Sequence, residues 1–304
     1  MTSALVSARP FGVPTLGIQT RAWQYGDPAG TPLILVHGFR GDHHGLEEIA
    51  REVAAVLPSV RTIVPDLPGF GETPAIPGRE HTIELYGEWL RAFAAEVAPE
   101  GHAILGHSFG SLVVSAAIAG GLDPSRIILI NPISAPALEG PKGALTKLTI
   151  GYYRTAEILP APAAKQLLGN PLIVRAMSEV MAKTGNPELR AWIHGQHAQY
   201  FSTFSDPSTL LQSFRASVSH TVLEYCASFD RPTLLIAGER DDITDLSKQL
   251  ELKHRVPGSR LRIIPGTGHL VHYEAVADAV AFISEFLVET AADTPASTVS
   301  ECVA

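Results

Sequence analysis

The pentapeptide GHSFG at 106–110 places Ser108 between two glycines, directly after a predicted strand and directly before a predicted helix. A serine on such a tight strand-to-helix turn exposes its hydroxyl at the helix N-terminus, and the flanking glycines let the backbone fold closely there. An ordinary glycine-rich turn could carry the same five letters, but the flanking strand and helix favour a nucleophile. Ser108 is therefore the predicted catalytic nucleophile.

A serine hydroxyl is a weak nucleophile at neutral pH and needs a base within hydrogen-bond reach, which a third group orients. His269 ends the segment GTGH at 266–269, on a loop between the last predicted strand and the last predicted helix. Of the twelve histidines, only this one combines that loop with a position after a candidate acid. The sequence therefore predicts His269 as the base.

The acid is predicted directly after the strand that precedes the histidine loop. The segment GERDD at 238–242 begins where the apolar run TLLIA ends, and it offers three carboxylates. Asp241 is the preferred acid and Asp242 its rival, because an aspartate in a tight turn often only bonds its own backbone. Asn131 follows an earlier strand, but its uncharged amide is a poorer partner for an imidazolium.

An oxyanion that forms during attack on a carbonyl is stabilised by backbone N–H groups. The residue after the nucleophile normally provides one of them, and a loop after an earlier strand provides the other. Phe109 follows Ser108, and the loop HGF at 37–39 follows the predicted strand 33–37. The sequence therefore predicts the backbone amides of Phe39 and Phe109 as the two donors, with a plain turn as the alternative for the loop.

Elements of two kinds alternate along the chain and position these residues. Short apolar runs bounded by Gly, Pro, Asp or Asn predict buried strands, whereas apolar residues at three-to-four spacing predict helices. The predicted strands are 33–37, 61–65, 103–106, 127–130, 233–237 and 261–264, and the predicted helices are 46–57, 82–97, 109–119, 246–255 and 276–288. This alternation predicts an α/β fold with a mostly parallel central sheet and flanking helices.

The alternation stops between residues 130 and 233, a gap far longer than a crossover between parallel strands requires. Helical stretches at 145–158 and 208–229 lie in the gap, with prolines between them and many aromatic residues. The gap therefore predicts an inserted, mostly helical cap. The expected division is a core of 1–133 and 230–290, a cap of 134–229 and a flexible C-terminal tail of 291–304.

Composition narrows the class of protein and its partners. The 304 residues are 45% hydrophobic and 18% charged with a formal net charge of −8, which suits a large core and excludes the basic surface that nucleic acid requires. The two cysteines, Cys226 and Cys302, lie too far apart to indicate a disulfide framework or a metal site. Without a signal-peptide pattern or an apolar run of about 20 residues, the expectation is a cytoplasmic protein with no membrane insertion.

Cofactors and metals are not expected. The sequence has no dinucleotide fingerprint and no phosphate-binding loop. The adjacent histidines His43 and His44 lack the carboxylate and histidine spacing of a metalloprotease, so a solvated pair in a loop is expected there.

The predicted cap indicates a small-molecule substrate that is mostly apolar, because its composition is aromatic and aliphatic without a cluster of like charges. Its scattered arginines, which are expected on a solvated face, are Arg154, Arg175, Arg190 and Arg215. A homo-oligomer could form through an apolar cap edge, but nothing in the sequence indicates one.

Five segments together resemble the α/β-hydrolase superfamily: HGF at 37–39, DLPGFGET at 66–73, GHSFGS at 106–111, GERDDIT at 238–244 and GTGHLVHYE at 266–274. The resemblance covers residues 20–131 and 231–289, and it implies the α/β-hydrolase fold with the acid on Asp241. Asp66 and Gly69 match a structural loop of that family and receive no catalytic role.

Differences from particular enzymes of the family also narrow the activities that the resemblance implies. Ser108 argues against haloalkane dehalogenases and epoxide hydrolases, which have aspartate at that position. Leu270 follows His269 where the family's C–C bond hydrolases typically have tryptophan, which weakens that activity. We expect a serine hydrolase that cleaves an ester-like bond through an acyl-enzyme on Ser108. The alternatives are a C–C bond hydrolase or a cofactor-free perhydrolase on the same triad, or a non-catalytic ligand-binding protein of the same fold.

Overall fold

A computed structural model describes residues 6–136 and 143–289, and side chains are described from 147 onward in the second range. The predicted tail at 291–304, with Cys302, lies outside the described residues. The strands are β1 (Arg9–Thr15), β2 (Ile18–Tyr25), β3 (Thr31–Val36), β4 (Val60–Pro65), β5 (Ala103–His107), β6 (Arg126–Ile130), β7 (Thr233–Gly238) and β8 (Arg260–Ile264). They form one sheet in the order β1-β2-β4-β3-β5-β6-β7-β8.

Helices flank this sheet and fill the gap between β6 and β7. They are α1 (Glu47–Val56), α2 (Ile83–Val97), α3 (Phe109–Ala119), α4 (Gly143–Ile158), α5 (Ala161–Leu168), α6 (Pro171–Met181), α7 (Pro187–Tyr200), α8 (Pro207–Ser219), α9 (Leu246–Arg255), α10 (Val271–Glu274) and α11 (Val276–Val288). Short 3-10 helices span His43–Gly45 and Val222–Ser228. Strands β4, β3, β5, β6, β7 and β8 pair in parallel, which confirms the predicted α/β fold with a mostly parallel sheet.

The sheet is buried on both faces, which explains why its central strands are continuous apolar runs. Successive side chains of β3 point to opposite faces. Ile34 and Val36 pack in the cluster that also holds residues of α2 and α3, whereas Leu33 and Leu35 pack in the cluster formed with α1 and α11. Because these strands are parallel, their carboxyl ends lie at the same edge of the sheet. The predicted site residues Ser108, Asp241 and His269 follow β5, β7 and β8 at that edge.

An antiparallel hairpin that the sequence did not predict extends the sheet. Strand β1 pairs with β2 from Arg9↔Gln24 to Thr15↔Ile18, and β2 in turn pairs antiparallel with β4. The sequence of β1, RPFGVPT, contains two prolines and a glycine, which normally argue against a strand. An edge strand tolerates them because only one of its sides must bond to a neighbour.

We call residues 143–219, which hold α4 to α8, the helical insert. Three of its helices begin in the same way, with Asn or Asp as the N-cap and Pro as the first helical residue, at Asn170-Pro171, Asn186-Pro187 and Asp206-Pro207. Each cap side chain accepts hydrogen bonds from backbone N–H groups two or three residues further on. The prolines thus start helices, since proline fits the first turn without losing a bond.

The prediction of one helix over 208–229 was wrong. Helix α8 ends at Ser219, and His220 and Thr221 have extended backbones before the 3-10 helix begins. The cause is local: Thr221 and Glu224 form a capping box, in which each satisfies a backbone N–H near the other. That box starts a new element instead of continuing α8.

The insert is tied to the core through the loop at 66–73. The backbone of Gly71 donates to Thr203 O at 3.0 Å, and Ser205 N donates to Gly69 O at 2.9 Å. Phe70 and Phe204 lie between them as an isolated antiparallel bridge. The loop at 66–73 thus pairs, like a short strand, with the segment that follows α7. The predicted cap boundaries at 134 and 229 stay a prediction.

Candidate active site

Ser108 occupies the sharp turn between β5 and α3. Its φ is 53° and its ψ is −120°, a conformation that L-residues rarely adopt. The turn also brings backbones together: a Cβ at Gly106 would lie 2.5 Å from Gly110 O, and one at Gly110 would lie 2.1 Å from Val36 O. Both glycines of the GHSFG pattern are therefore required by close approach, and the strained serine projects from the end of β5.

The structure brings the three predicted site residues together. His269 Nε2 lies 2.7 Å from Ser108 Oγ, and His269 Nδ1 lies 2.8 Å from Asp241 Oδ2. The exposed fractions of Ser108, His269 and Asp241 are only 8%, 4% and 6%. A hydroxyl, an imidazole and a carboxylate in this order form a chain in which the serine proton can move to the imidazole while the carboxylate holds the other ring nitrogen.

Four donors converge on the buried carboxylate of Asp241. Oδ1 accepts from Ile243 N at 2.8 Å and Thr244 N at 3.3 Å, while Oδ2 accepts from His269 Nδ1 and from Asn131 Nδ2 at 2.9 Å. Burial opposes the charged form, but the electrostatic interaction with His269 and the hydrogen bonds outweigh it and hold the pKa of Asp241 below its usual value. Asp241 therefore carries a negative charge at neutral pH.

Asp242 and Asn131, the two residues weighed against Asp241, have other contacts. Asp242 forms an ion pair with Lys183, in the segment after α6. Asn131 donates to Asp241 and, at 3.4 Å, to Gly268 O in the histidine loop. Asn131 thus supports the acid rather than replacing it, a role that the sequence analysis missed because an amide was considered only as a substitute for a carboxylate.

The loop after β3 lies against the serine turn. A Cβ at Gly38 would lie 3.3 Å from Ser108 Cβ, so the backbone that leads into Phe39 passes directly beside the nucleophile. His37 holds this loop with both ring nitrogens, because Nδ1 bonds Gly38 O at 2.9 Å and Nε2 accepts from Leu67 N at 3.0 Å. Burial lowers the pKa of His37, which keeps the ring neutral for this pair of bonds.

Phe109 is the first residue of α3, and a helix leaves its first N–H groups without acceptors inside the helix. Its amide therefore lies directly after the nucleophile in the chain, at the start of α3. The two predicted oxyanion donors thus belong to the two backbone segments that border Ser108, and their role remains our proposal.

An aromatic cluster made of Phe39, Phe70, Phe109, Tyr153 and Phe214 adjoins this region. The ring of Phe39 is central, with ring centroids of the other four at 6.0 to 6.3 Å. Tyr153 belongs to α4 and Phe214 to α8, and their rings stack at 3.6 Å. Two aromatic side chains of the insert thus pack against Phe39, in the loop that borders Ser108.

Comparison with known proteins identifies the family to which the chain belongs. The model of the alpha/beta hydrolase family matches residues 33–281, which include every site residue named above. The chain belongs to the alpha/beta hydrolase family. The prediction from the five sequence segments is confirmed at this level.

Curated members of the family resemble this alpha/beta hydrolase at modest identity. A pimeloyl-[acyl-carrier protein] methyl ester esterase from Aeromonas salmonicida is 26% identical over 245 residues, covering 79% of this chain and 89% of the relative. Lipase 1 from Psychrobacter immobilis is 25% identical over 263 residues, covering 83% and 75%. Among solved structures, a thermophilic esterase from Thermogutta terrifontis superposes with a TM-score of 0.71 at 22% identity, over 92% of this chain and 98% of that one. The structural likeness shows the fold.

Two cavities of this alpha/beta hydrolase lie away from the nucleophile. One of about 510 Å³ opens between α6 and α7, and one of about 330 Å³ opens beside the acid loop, lined in part by Ile243 and Thr244. Ser108 and His269 line neither of them. In the described part of the chain, no helix is both long and apolar enough to cross a membrane.

The expectation of a solvated pair at His43 and His44 was wrong. His43 is buried and stacks on Trp23 with ring centroids 3.2 Å apart, while His44 stacks on Tyr200 at 3.7 Å. Together with Asp42 they form a group whose candidate metal-ligand atoms lie within 4.8 Å of one another. However, Nδ1 of His43 bonds Asp66 and Nδ1 of His44 bonds Asp42. We therefore interpret the pair as packing that links β2 to the end of α7.

Three arginines of the insert are at least partly exposed and pair with glutamates. Arg175 and Arg190 both contact Glu179, and Arg215 contacts Glu157. The glutamates partly balance these positive charges, and the exposure of the three side chains agrees with the solvated face expected from their scattered positions.

His107 is a further residue that the sequence analysis missed, although it stands inside the GHSFG pattern. It is buried, and burial lowers its pKa to about 3, so the ring is neutral at pH 7. Its Nε2 lies 3.3 Å from His269 O, which joins the serine turn to the histidine loop. The residue beside the nucleophile therefore supports the backbone of the base.

Proposed function

We propose that this alpha/beta hydrolase is a serine ester hydrolase that works through an acyl-enzyme on Ser108, with His269 as base and Asp241 as acid. One observation carries the proposal: Ser108 Oγ, His269 and Asp241 form a continuous buried chain of hydrogen bonds at 2.7 and 2.8 Å, on a serine held at positive φ. A ligand-binding protein without turnover would not need a strained serine or a buried, charged aspartate behind its histidine.

Acylation begins when Ser108 Oγ attacks the carbonyl carbon of the ester and its proton passes to His269 Nε2. The imidazolium that forms is stabilised by the carboxylate of Asp241, which accepts a hydrogen bond from Nδ1–H. The amides of Phe39 and Phe109 donate to the oxyanion of the tetrahedral intermediate. His269 then gives its proton to the leaving alcohol oxygen, the C–O bond breaks, and the acyl group remains on Ser108.

Deacylation repeats these steps with water in place of the serine. His269 Nε2 takes a proton from the water, and the hydroxide oxygen attacks the acyl carbonyl carbon beside the same two amides. When the second tetrahedral intermediate collapses, the proton returns to Ser108 Oγ and the carboxylic acid is released. Because base and oxyanion donors serve both halves, a substitution in either should slow both steps.

The substrate we propose is small and mostly apolar. The aromatic cluster around Phe39 gives the region beside Ser108 an apolar wall, and the arginines of the insert pair with glutamates elsewhere. Two curated relatives are named as a methyl ester esterase and a lipase, which supports an ester rather than another acyl compound. The expected location of the enzyme, from its sequence, is the cytoplasm.

Turnover of p-nitrophenyl esters from acetate to octanoate tests the proposal. We expect the wild-type protein to cleave them, and Ser108→Ala to lose at least about ten-thousand-fold in kcat, since removal of a triad nucleophile costs that much or more. Ser208→Ala, which changes an exposed serine in α8, is the matched control and should keep wild-type activity. A wild-type protein without turnover, or a Ser108→Ala variant as active as wild type, would refute the proposal.

A further inference from the structure

Arg40, directly after Phe39, is a cation that is both buried and held in a strained backbone conformation. Only 1% of its surface is exposed, so the guanidinium is removed from water. Its φ of 63° lies in the left-handed region, where glycine is unstrained and an arginine is not. A buried charge on a strained backbone persists only where the surrounding structure holds it strongly, which indicates that the side chain has a task.

The guanidinium satisfies all five of its N–H groups, and every acceptor belongs to the helical insert. Nε donates to Phe201 O at 3.3 Å, and Nη1 donates to the hydroxyls of Tyr152 and Tyr153 at 3.3 and 3.4 Å. Nη2 donates to Leu168 O at 2.5 Å and to Ser202 Oγ at 3.1 Å. One core residue therefore joins α4, the end of α5 and the segment that follows α7.

The positive charge is compensated without a carboxylate among these acceptors. Leu168 is the last residue of α5 and Phe201 is the C-cap of α7, so their carbonyls lie at helix C-termini. A helix C-terminus carries partial negative charge and leaves its last carbonyls without intrahelical partners. The ring of Phe201 also lies 5.3 Å from the guanidinium carbon. Two helix ends and an aromatic face thus hold one cation.

The same arginine acts on the loop beside Ser108. Phe39 lies between Gly38, which approaches Ser108 Cβ, and Arg40, which is fixed in the insert. The ring of Phe39 contacts Tyr153, whose hydroxyl accepts from Arg40. The orientation of the peptide that carries the Phe39 N–H is therefore determined at one end by the core and at the other by the insert.

We propose that Arg40 is a positioning residue: by tying the loop after β3 to three segments of the helical insert, it fixes the Phe39 amide toward the oxyanion. This inference rests on the proposed function, because it concerns one of the two donors assigned there. It assigns to the insert a part in catalysis as well as in substrate choice, since the insert holds the guanidinium that orients the donor.

Arg40→Met tests the inference, because methionine has a similar reach but no charge and no donors. We expect kcat/KM per active site, counted by fluorophosphonate titration, to fall about ten- to a hundred-fold, less than the loss of a whole oxyanion donor. Affinity for a trifluoromethyl ketone, which forms a tetrahedral adduct on the serine, should fall by a similar factor, while KM changes little, since the donor acts mainly in the transition state. Arg154→Met, at an exposed arginine of α4, is the matched control and should behave as wild type.

A second variant keeps the inference testable if Arg40→Met does not fold. Arg40→Gly relieves the backbone strain at φ 63° and leaves a space in which added methylguanidinium should restore activity, whereas methylammonium at the same concentration should not. Wild-type kcat/KM in Arg40→Met or Arg40→Gly would overturn the inference, and so would a raised KM with unchanged affinity for the ketone. Failure of the proposed function would show differently, as a wild-type protein that neither cleaves esters nor reacts with the fluorophosphonate, and it would overturn both.

Discussion

Asp241 keeps a negative charge in a buried position because donors reach it from three parts of the chain. Its own loop provides the amides of Ile243 and Thr244, the end of β6 provides Asn131, and the histidine loop provides His269. The carboxylate is thereby fixed in one orientation, with Oδ2 toward the imidazole. This arrangement selects the His269 tautomer that has its proton on Nδ1 and a free lone pair on Nε2 facing Ser108.

Replacing the acid tests this reasoning at the residue scale. Asp241→Asn should lower kcat for ester hydrolysis by roughly three to four orders of magnitude, because an amide cannot stabilise the imidazolium and favours the wrong tautomer. Steady-state kinetics with a p-nitrophenyl ester measures the effect. Asp242→Asn, which removes the ion pair with Lys183, is the matched control and should retain most of the activity.

If Asp242→Asn proved to be the inactive variant and Asp241→Asn the active one, the acid would be wrongly assigned. The sequence favoured Asp241 over its neighbour but could not separate two adjacent aspartates by spacing alone. The difference lies in three-dimensional contacts, because one carboxylate points into the site and the other pairs with a lysine of the inserted segment.

At the scale of elements, the serine turn depends on how closely β3, β5 and α3 approach one another. Gly110 belongs to the first turn of α3, and its Cα faces the carbonyl of Val36 at the end of β3. The loop after β3 and the turn after β5 therefore share one small space, in which both proposed oxyanion donors lie. A side chain of any size at Gly110 would push the two donors apart.

Gly110→Ala should therefore destabilise the protein by about 3 kcal/mol or more, since its Cβ would lie 2.1 Å from Val36 O and backbone must move. Urea unfolding followed by circular dichroism measures the change. Gly151→Ala provides the contrast: Gly151 lies in α4, and beyond the local helix backbone nothing lies within 4 Å of the added Cβ, so alanine should stabilise by about 0.5–1 kcal/mol. Equal effects of the two substitutions would contradict the close approach.

Local patterns in the sequence were sufficient to predict the helices and strands that position the site residues. The predicted α3, α9 and α11 have the observed bounds. Helix α3 begins after the serine turn and ends before Gly120, and α9 begins after its N-cap Asp245, so local residues mark these bounds. Strand β1 was missed because its prolines and glycine are compatible with a strand only at a sheet edge, and edge position is not visible in a local pattern. The break after Ser219 was missed because apolar spacing continues across it while a capping box interrupts the helix.

At the scale of the whole molecule, one buried histidine of the insert packs against the core. His197 of α7 bonds Ser178 of α6 at 2.7 Å, and its ring lies near that of Tyr273 in α10. Burial, with a smaller contribution from His194, lowers the pKa of His197 to about 4. The contact between α7 and α10 therefore holds His197 as a neutral imidazole at pH 7.

The free energy of unfolding should fall as pH decreases below about 6.5. In that window the unfolded chain binds a proton that folded His197 does not accept until about pH 4, so acid favours unfolding by up to about 1.4 kcal/mol per pH unit for one such histidine. Urea unfolding at pH 7, 6 and 5 should show a shallower pH dependence for His197→Gln than for wild type. His254→Gln, at an exposed histidine of α9, should leave the slope unchanged. Equal slopes for wild type and His197→Gln would contradict a buried, neutral His197.

Contacts between core and insert could not be read from the sequence. Arg40 is separated by more than a hundred residues from all five of its acceptors, so no local pattern in the sequence indicated its role. His43 looked like a solvated loop residue because its partners are distant in sequence, with Trp23 in β2 and Asp66 directly after β4. The contacts of such residues depend on how separate elements pack. Ser108 and His269, in contrast, could be predicted from the residues adjacent to them in the sequence.

Acylation of Ser108 is the step on which the proposed mechanism depends, and trapping the acyl-enzyme detects that step. The protein is mixed with p-nitrophenyl butyrate, quenched in acid within milliseconds, digested, and the peptides are weighed by mass spectrometry, with Ser108→Ala treated in parallel. We predict a butyryl group on the wild-type peptide that contains Ser108, formed as fast as p-nitrophenol is released in the first turnover, and none on that peptide in the variant. Release of p-nitrophenol with no acyl group on Ser108 at any quench time would contradict the account.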